Sequence, residues 1–336
     1  MSARATGAWD LPHLDTGRCR VRFTRGLFTD DYPAIEPLVE RRAGVAALVF
    51  VDEGVAAGRP ELLDEVLARG MSPLVVPGGH AIRNGASAVA EMTAAMAAPE
   101  REDGGLLVAI GGAAMLESVD EAVAACGREI RHVRVPTTVH ALVAALEADV
   151  LARTDAVLTD FELLRSLSDD DWAGGITPAI GVAVRHDRAF FRWLERQSAE
   201  LSLRSLPAMA WVMYRTAELS LSRRGEQLGP PLLAGGARRG TTAALGVALG
   251  VTCSQQAGGL SQREWRRVIH LLETLDLPVW DARVTTPPCP IPCGMLDRIG
   301  SGIRAERLDG DSLAVAAELL RRWAQTPSAT RPPRPA

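Results

Sequence analysis

The sequence contains no lysine: all 37 of its basic residues are arginine. That excludes any mechanism built on a lysine amine, whether a Schiff base, a lysine general base or the phosphate-binding lysine of a P-loop. We read the arginine-only usage as a bias of base composition. Five cysteines in 336 residues are too few for a disulfide framework. Cys289 and Cys293, in Cys-Pro-Ile-Pro-Cys, have no second ligand pair nearby and read as structural rather than metal-binding. No apolar run approaches the ~18 residues of a membrane-spanning helix, and the start lacks a basic-then-apolar signal pattern. The expectation is a cytoplasmic, reduced protein with no membrane association. A net charge of −4 gives no nucleic-acid-binding surface. There is no Gly-x-Ser-x-Gly elbow, and no two of the six histidines have the i, i+4 spacing of a zinc helix.

What is present is a large apolar fraction, 47%, which is enough for two packed domains. The first half alternates strands and helices. Val45–Val51 is a continuous apolar run, as in a strand buried on both faces. Pro60–Arg69 has helical spacing closed by Gly70, Ser72–Val76 is a second strand, and Ala86–Ala97 is an alanine-rich helix. Leu106–Ile110 and His132–Val135 are two further strands with a helical stretch between them. This rhythm predicts an α/β N-terminal domain with a doubly wound parallel sheet, residues 1–155. From about residue 160 the pattern turns helical, at Asp169–Ala173, Arg188–Arg196, Pro207–Ser222, Thr241–Thr252, Gln262–Leu275 and Asp311–Gln325. These segments predict an all-α C-terminal domain over 156–325, followed by a disordered, proline-rich tail, 326–336.

Open parallel sheets bind ligands beyond the carboxyl ends of their strands. Those ends here are Asp52-Glu53-Gly54, Pro77-Gly78-Gly79-His80, Gly111-Gly112 and Pro136-Thr137-Thr138. The strand–Gly111-Gly112–helix turn has the form of a nucleotide cradle. His80 and His140 both follow strand ends and are the candidate acid–base pair, with polar lining or capping as the plainer reading. His186-Asp187 reads as a helix cap, and Asp169-Asp170-Asp171 as the exposed first turn of a helix.

In their order and spacing, these residues resemble the sugar-phosphate cyclases, the dehydroquinate synthase-like family, closest to the 2-epi-5-epi-valiolone synthase branch. Arg25-Gly26-Leu27-Phe28, Pro77-Gly78-Gly79 with Asn84, Ala189–Glu195 and Leu277-Pro278-Val279-Trp280 carry the resemblance, and Ala109–Thr138 aligns without gaps to the family's nucleotide-binding stretch. The resemblance implies a dehydroquinate synthase-like fold, with NAD and a divalent metal held between an α/β and a helical domain. In such enzymes the metal stabilises the alkoxide and ketone of a transient oxidation by NAD.

Carried over residue by residue, the cofactor-binding positions are Asp52, Gly78, Gly79, His80, Arg83, Gly111, Gly112, Thr137 and Thr138. His80 and Arg83 stand where the family has Glu and Lys. Ala113 replaces the third glycine of the turn, which weakens the cradle, and Glu117 replaces an Asp. The metal-ligand positions fall at Pro178, Pro230 and Arg239, and the catalytic lysine position at Gly181. None of those three residues donates an electron pair to zinc, so no metal is expected. Pro178 is also expected to kink or break its helix. The substrate loop of the family is missing, and Arg128 is the surviving candidate phosphate ligand.

The resulting expectation is a catalytically degenerate cyclase homologue, a pseudoenzyme of cyclitol or other secondary-metabolite biosynthesis. It would act as a non-catalytic partner or regulator, forming a homodimer or a heterodimer with an active cyclase paralogue. NAD is supported by the glycine turn alone, and a small phosphorylated ligand is the other candidate. The alternatives are a metal-independent enzyme acting on a sugar phosphate or cyclitol, with Arg128, Arg238 and Arg239 as a phosphate clamp, and an active sedoheptulose 7-phosphate cyclase of the carbon–oxygen lyase type.

Overall fold

The computed structural model describes residues 14, 19–28, 47–79, 82, 86–98, 105–222, 228, 239–283 and 289–326. The chain divides into two compact units, Met1–Ser168 and Asp169–Ala336.

The first unit is built on β1 (Arg20–Thr24), β2 (Leu48–Asp52), β3 (Ser72–Val76), β4 (Gly105–Gly111), β5 (Ile130–Pro136) and β6 (Ala156–Asp160). They form one six-stranded parallel sheet in the order β1-β6-β5-β4-β2-β3. The helices are α1 (Glu53–Gly58), α2 (Glu61–Ala68), α3 (Ala86–Ala97), α4 (Ala113–Cys126), α5 (Val139–Ala145) and α6 (Ala148–Leu151). Both faces of the sheet are buried, and the period-2 alternation of the strands sorts them. Val49, Val51, Val108, Ile110, Val133 and Val135 pack with Val55, Leu62 and Val66 of α1 and α2. Leu48, Phe50, Leu107 and Ala109 pack with Met92 and Met96 of α3 and Met115, Leu116 and Val119 of α4. The sheet is therefore wound on both sides, as expected.

The first compact unit runs through Ser168 and takes in β6. β6 belongs to the first unit because it pairs with β1 through five registered residues and with β5. β1 itself carries Arg20 and Arg22 on an edge of the sheet and escaped the sequence reading.

The second unit comprises α7 (Asp169–His186), α8 (Arg188–Ser202), α9 (Leu206–Ser222), α10 (Arg239–Gln256), α11 (Gln262–Thr274) and α12 (Gly310–Gln325). It also has an antiparallel ribbon, β7 (Ile291–Met295) with β8 (Arg304–Leu308), which the helical patterning did not show. Pro178 does not break its helix: α7 runs on through it to His186. The proline removes one intrahelical hydrogen bond. Against that loss, Trp172, Ile176, Ala179, Ile180, Val182, Ala183 and Val184 are all buried along the same helix, and together their burial outweighs it. The last carbonyls of α7 are satisfied from outside the helix. The amides of Gly300 and Gly302 donate to Val184 and Arg185, each at 2.7 Å. No helix among the described residues is long and apolar enough to cross a membrane. The expected tail beyond Thr326 lies outside the described residues.

Candidate functional site

The chain leaves β2 toward the β3 edge of the sheet and leaves β4 in the opposite direction, toward β5. The connections thus diverge between the carboxyl ends of β2 and β4, the switch point at which open parallel sheets bind ligands. Asp52 ends β2 and Gly111 ends β4. Asp52 is registered with Val76 of β3, and Gly111 with Pro136 of β5. Asp52, Gly78, Gly79, Gly111, Gly112, Thr137 and Thr138 are therefore gathered along one edge of the sheet. The amide of Thr137 donates to the carbonyl of Gly111 at 3.1 Å.

Asp52 is at the centre of this group. Its carboxylate caps α1, accepting the Gly54 amide at 2.8 Å. The backbone N–H groups of Gly112 and Val55 lie near enough to act on it electrostatically. The side chain thus lies at the N-termini of two helices, α1 and α4, where partial positive charge favours an anion. Burial pushes its pKa above the ordinary carboxylate value and the neighbouring Glu53 adds to this, while the three N–H donors pull the other way. At Gly78 and Gly111, Asp52 leaves no room for a side chain. A Cβ on Gly78 would fall 2.3 Å from Asp52 Oδ1, and one on Gly111 would fall 3.0 Å from Asp52 Cβ.

Gly112 is different. A Cβ placed there meets no described atom within 4 Å, and no side chain caps α4. A 14-residue helix that begins without a cap in open space is suited to bind a phosphate group. A dinucleotide pyrophosphate therefore fits the residues present. Ala113 is buried in the core on the α3 side. Thr138 uses its hydroxyl to cap α5, accepting the Ala141 amide at 3.0 Å, and His140 follows in the first turn of that helix, half-buried.

Other sequence candidates separate from this group. Arg128 lies between α4 and the first residue of β5, at the amino ends of the strands, and donates to the Ala98 carbonyl at 3.4 Å. The length of β5, roughly 20 Å, separates that end of the sheet from Thr137. His80, Arg83, Asn84, Pro230 and Arg238 lie outside the described residues, so the pairing of His80 with His140 is not placed. Asp187 of the His186-Asp187 pair caps α8, accepting the Ala189 and Phe190 amides at 2.8 and 2.9 Å, and pairs with Arg215.

The sequence reading missed Asp160 at the end of β6. It is 1% exposed and accepts the amides of Gly26, Leu27 and Glu162 at 3.0, 2.7 and 3.0 Å. The Arg25-Gly26-Leu27-Phe28 motif is thus a turn folded onto Asp160, with Arg25 paired to Glu162. An acidic residue directly after a buried apolar strand was the available signal.

In the second unit, Pro178 sits mid-helix in α7 and Arg239 is the first residue of α10. One turn before Pro178 and one residue after Arg239, the two helices touch: a Cβ on Gly240 would fall 2.5 Å from Gly174 Cα. The carbonyl of Gly174, whose helical donor Pro178 removes, lies at this contact, 3.3 Å from that Cβ position. Among the described residues, no group of three or more His, Cys, Asp or Glu is arranged to hold a metal ion. At Pro178 the residue present offers no donor, so the residues do not fit a divalent metal there.

No protein-family model matches the chain. Among solved structures, the chain is similar to 2-epi-5-epi-valiolone synthase from Streptomyces hygroscopicus subsp. jinggangensis 5008, solved with NAD+ and Zn2+ bound. The TM-score is 0.72 at 19% identity, covering 94% of this chain and 100% of that one. The chain has the sugar-phosphate cyclase fold. A second cyclase supports this: 2-deoxy-scyllo-inosose synthase, solved with carbaglucose-6-phosphate, NAD+ and Co2+, superposes with a TM-score of 0.65 at 14% identity over 90% of this chain and 96% of that one. An alcohol dehydrogenase from Oenococcus oeni is more distant, with a TM-score of 0.54 at 14% identity over 77% and 86%. On this cyclase-type fold the glycine-lined strand ends of the first unit and the α7–α10 contact of the second are two separate features, one open to a ligand and one closed by backbone.

Proposed function

We propose that this cyclase-fold chain binds a nicotinamide dinucleotide but does not run a metal-dependent ring-forming reaction. Its role is that of a non-catalytic partner or regulator of an intact cyclase in cyclitol biosynthesis. The observation that carries this reading is Pro178 within the unbroken helix α7, beside a backbone contact that would have to open to admit a new side chain. A metal-assisted hydride step without its Lewis acid loses several kcal/mol of transition-state stabilisation.

The residues that would hold NAD are Gly111, Gly112 and the first turn of α4, with Asp52, Gly78, Thr137 and Thr138 around them. When bound, NAD supplies a hydride acceptor. The chain's own contribution is positional: Gly112 leaves the α4 amides accessible, and Asp52 caps α1 beside them.

Three measurements on the purified full chain and one co-expression test the proposal. Calorimetric titration with NAD is expected to show binding. Elemental analysis is expected to show bound zinc and cobalt well below one per chain. Incubation with sedoheptulose 7-phosphate, NAD and Co2+ is expected to give no cyclised product, whereas co-expression with an intact cyclase gives a mixed complex. Stoichiometric metal with turnover would overturn the non-catalytic reading, and turnover without metal would replace it with a metal-independent enzyme.

A further inference from the structure

The solvent face of α8, in the second unit, is charged in the order that its own helix disfavours. Arg188 and Arg192 lie in its first two turns, Arg196 follows one turn on, and Glu200 is in its last turn. Cations near the amino end and a carboxylate near the carboxyl end both oppose the helix dipole. Arginine before glutamate, as in Arg196 and Glu200, is also the weaker order for an i, i+4 pair. Arg192, Arg196 and Glu200 are exposed, and among the described residues none of the three side chains makes a hydrogen bond or ion pair. Glu195, one turn from Arg192, is taken by Arg267 of α11.

The same surface carries uncovered apolar groups. Leu203, which follows α8, is 79% exposed, and Trp211 of α9 is 38% exposed. Trp193 of α8 is half-buried, its ring centroid 6.4 Å from that of Trp211. Arg196 is one turn from Trp193 and one turn from Glu200, so charged and apolar groups adjoin along one strip. Beside the carboxyl end of α8, α7 opens with the exposed Asp169, Asp170 and Asp171, and Arg204 donates to Asp169 at 2.7 Å. The strip is thus positive toward Arg188 and negative toward its far end. Such a surface complements a copy of itself turned end for end.

We propose that this face of α8 is a self-association surface, on which a second copy of the chain docks about a twofold axis. In a symmetric contact of this kind every pair forms twice. The antiparallel register that sets Arg196 against Glu200 of the second copy puts the exposed Ala199 next to the axis, where its small side chain lets the helices approach. The same register brings Trp193 level with Leu203, and Arg192 level with Arg204 and its bound Asp169. A pair of 15-residue helices lies at the small end of specific interfaces, so the dimer is expected to be weak, with a Kd of about 10 μM. The surface lies wholly within the second unit and depends on neither the nucleotide nor the cyclase-partner reading above.

Sedimentation equilibrium of the full chain under reducing conditions tests this. A monomer–dimer equilibrium is expected at about 50 mM salt, weakened about tenfold at about 0.5 M. Arg196→Glu alone and Glu200→Arg alone each bring like charges together and are expected to weaken the dimer by about a hundredfold. An equimolar mixture of the two variants is expected to regain close to the original affinity as a mixed dimer, because each copy then meets the opposite charge. Leu203→Ser is expected to weaken association about tenfold. If a charge variant does not fold, Leu203→Ser decides by the same readout. A monomer at every concentration, a dimer indifferent to the charge reversals or to Leu203→Ser, or a mixture that stays monomeric would each overturn the proposal.

Discussion

Gly240 of α10 rests on Gly174 of α7, so close that a Cβ on the first would come within 2.5 Å of the Cα of the second. Backbone contact of this kind lets two buried helices approach more nearly than any side chain permits. Gly240→Ala should therefore force α7 and α10 apart, at a cost of about 1–3 kcal/mol in urea unfolding. Gly181→Ala on the same helix meets Val247 at an ordinary 3.6 Å and should cost less. Equal effects would mean that the contact is not tight.

Pro178 bears on the same helix. With alanine there, an N–H returns to face the Gly174 carbonyl, and the ring no longer crowds it. Pro178→Ala is expected to stabilise the second unit by about 1–3 kcal/mol, read as a higher denaturant midpoint. Loss of stability would mean that the ring packs better than the recovered hydrogen bond compensates.

At the switch point, Gly112 has φ −76°, which any residue adopts, and α4 lacks a capping side chain. Gly112→Ser supplies that cap. Stability should stay level or rise by a few tenths of a kcal/mol, while NAD affinity should fall about tenfold, because the hydroxyl takes an amide that a phosphate would use. Isothermal titration of the folded variant reads the two effects apart. Undiminished affinity would place the phosphate elsewhere.

The pH dependence of stability has a specific source in the first unit. His132, on β5, is buried beside Arg134, which pairs with Asp120. Burial, and then the Arg134 charge, lower its pKa from 6.5 to about 3. The folded protein keeps this ring neutral, whereas the unfolded chain takes up a proton below about pH 6.5. Stability should therefore fall as pH drops from 6.5 toward 3, by roughly 1.4 kcal/mol per unit from this residue. His132→Gln should flatten that slope between pH 6.5 and 4.5, whatever its effect at neutral pH. An unchanged slope would assign acid sensitivity to the carboxylates.

Local signals were the legible ones. Ser72–Val76 and Ala86–Ala97 formed as their patterns indicated, and Gly78 and Gly111, which follow or end two of the strands, lie against Asp52. Long-range pairing was not legible. β8, Arg-Ala-Glu-Arg-Leu, has a helix-forming composition and becomes a strand only because β7 lies beside it. α7 was cut short at Ala173, because Gly174, Gly175 and Pro178 all disfavour helix, and burial overrode them. Arg128 read as a phosphate ligand on alignment alone, yet the topology puts it at the far end of β5.

Asp52 has one more consequence. In a cofactor-dependent fold, two helix N-termini pointing at an empty crevice would repel each other until a phosphate arrived. Here an internal carboxylate already caps one of them, accepting the Gly54 amide at 2.8 Å, and lies beside Gly111, which leads into the other. The first unit therefore carries its own counter-ion at this crevice. Its fold is expected to form before any nucleotide binds, read as a cooperative unfolding transition of the nucleotide-free protein.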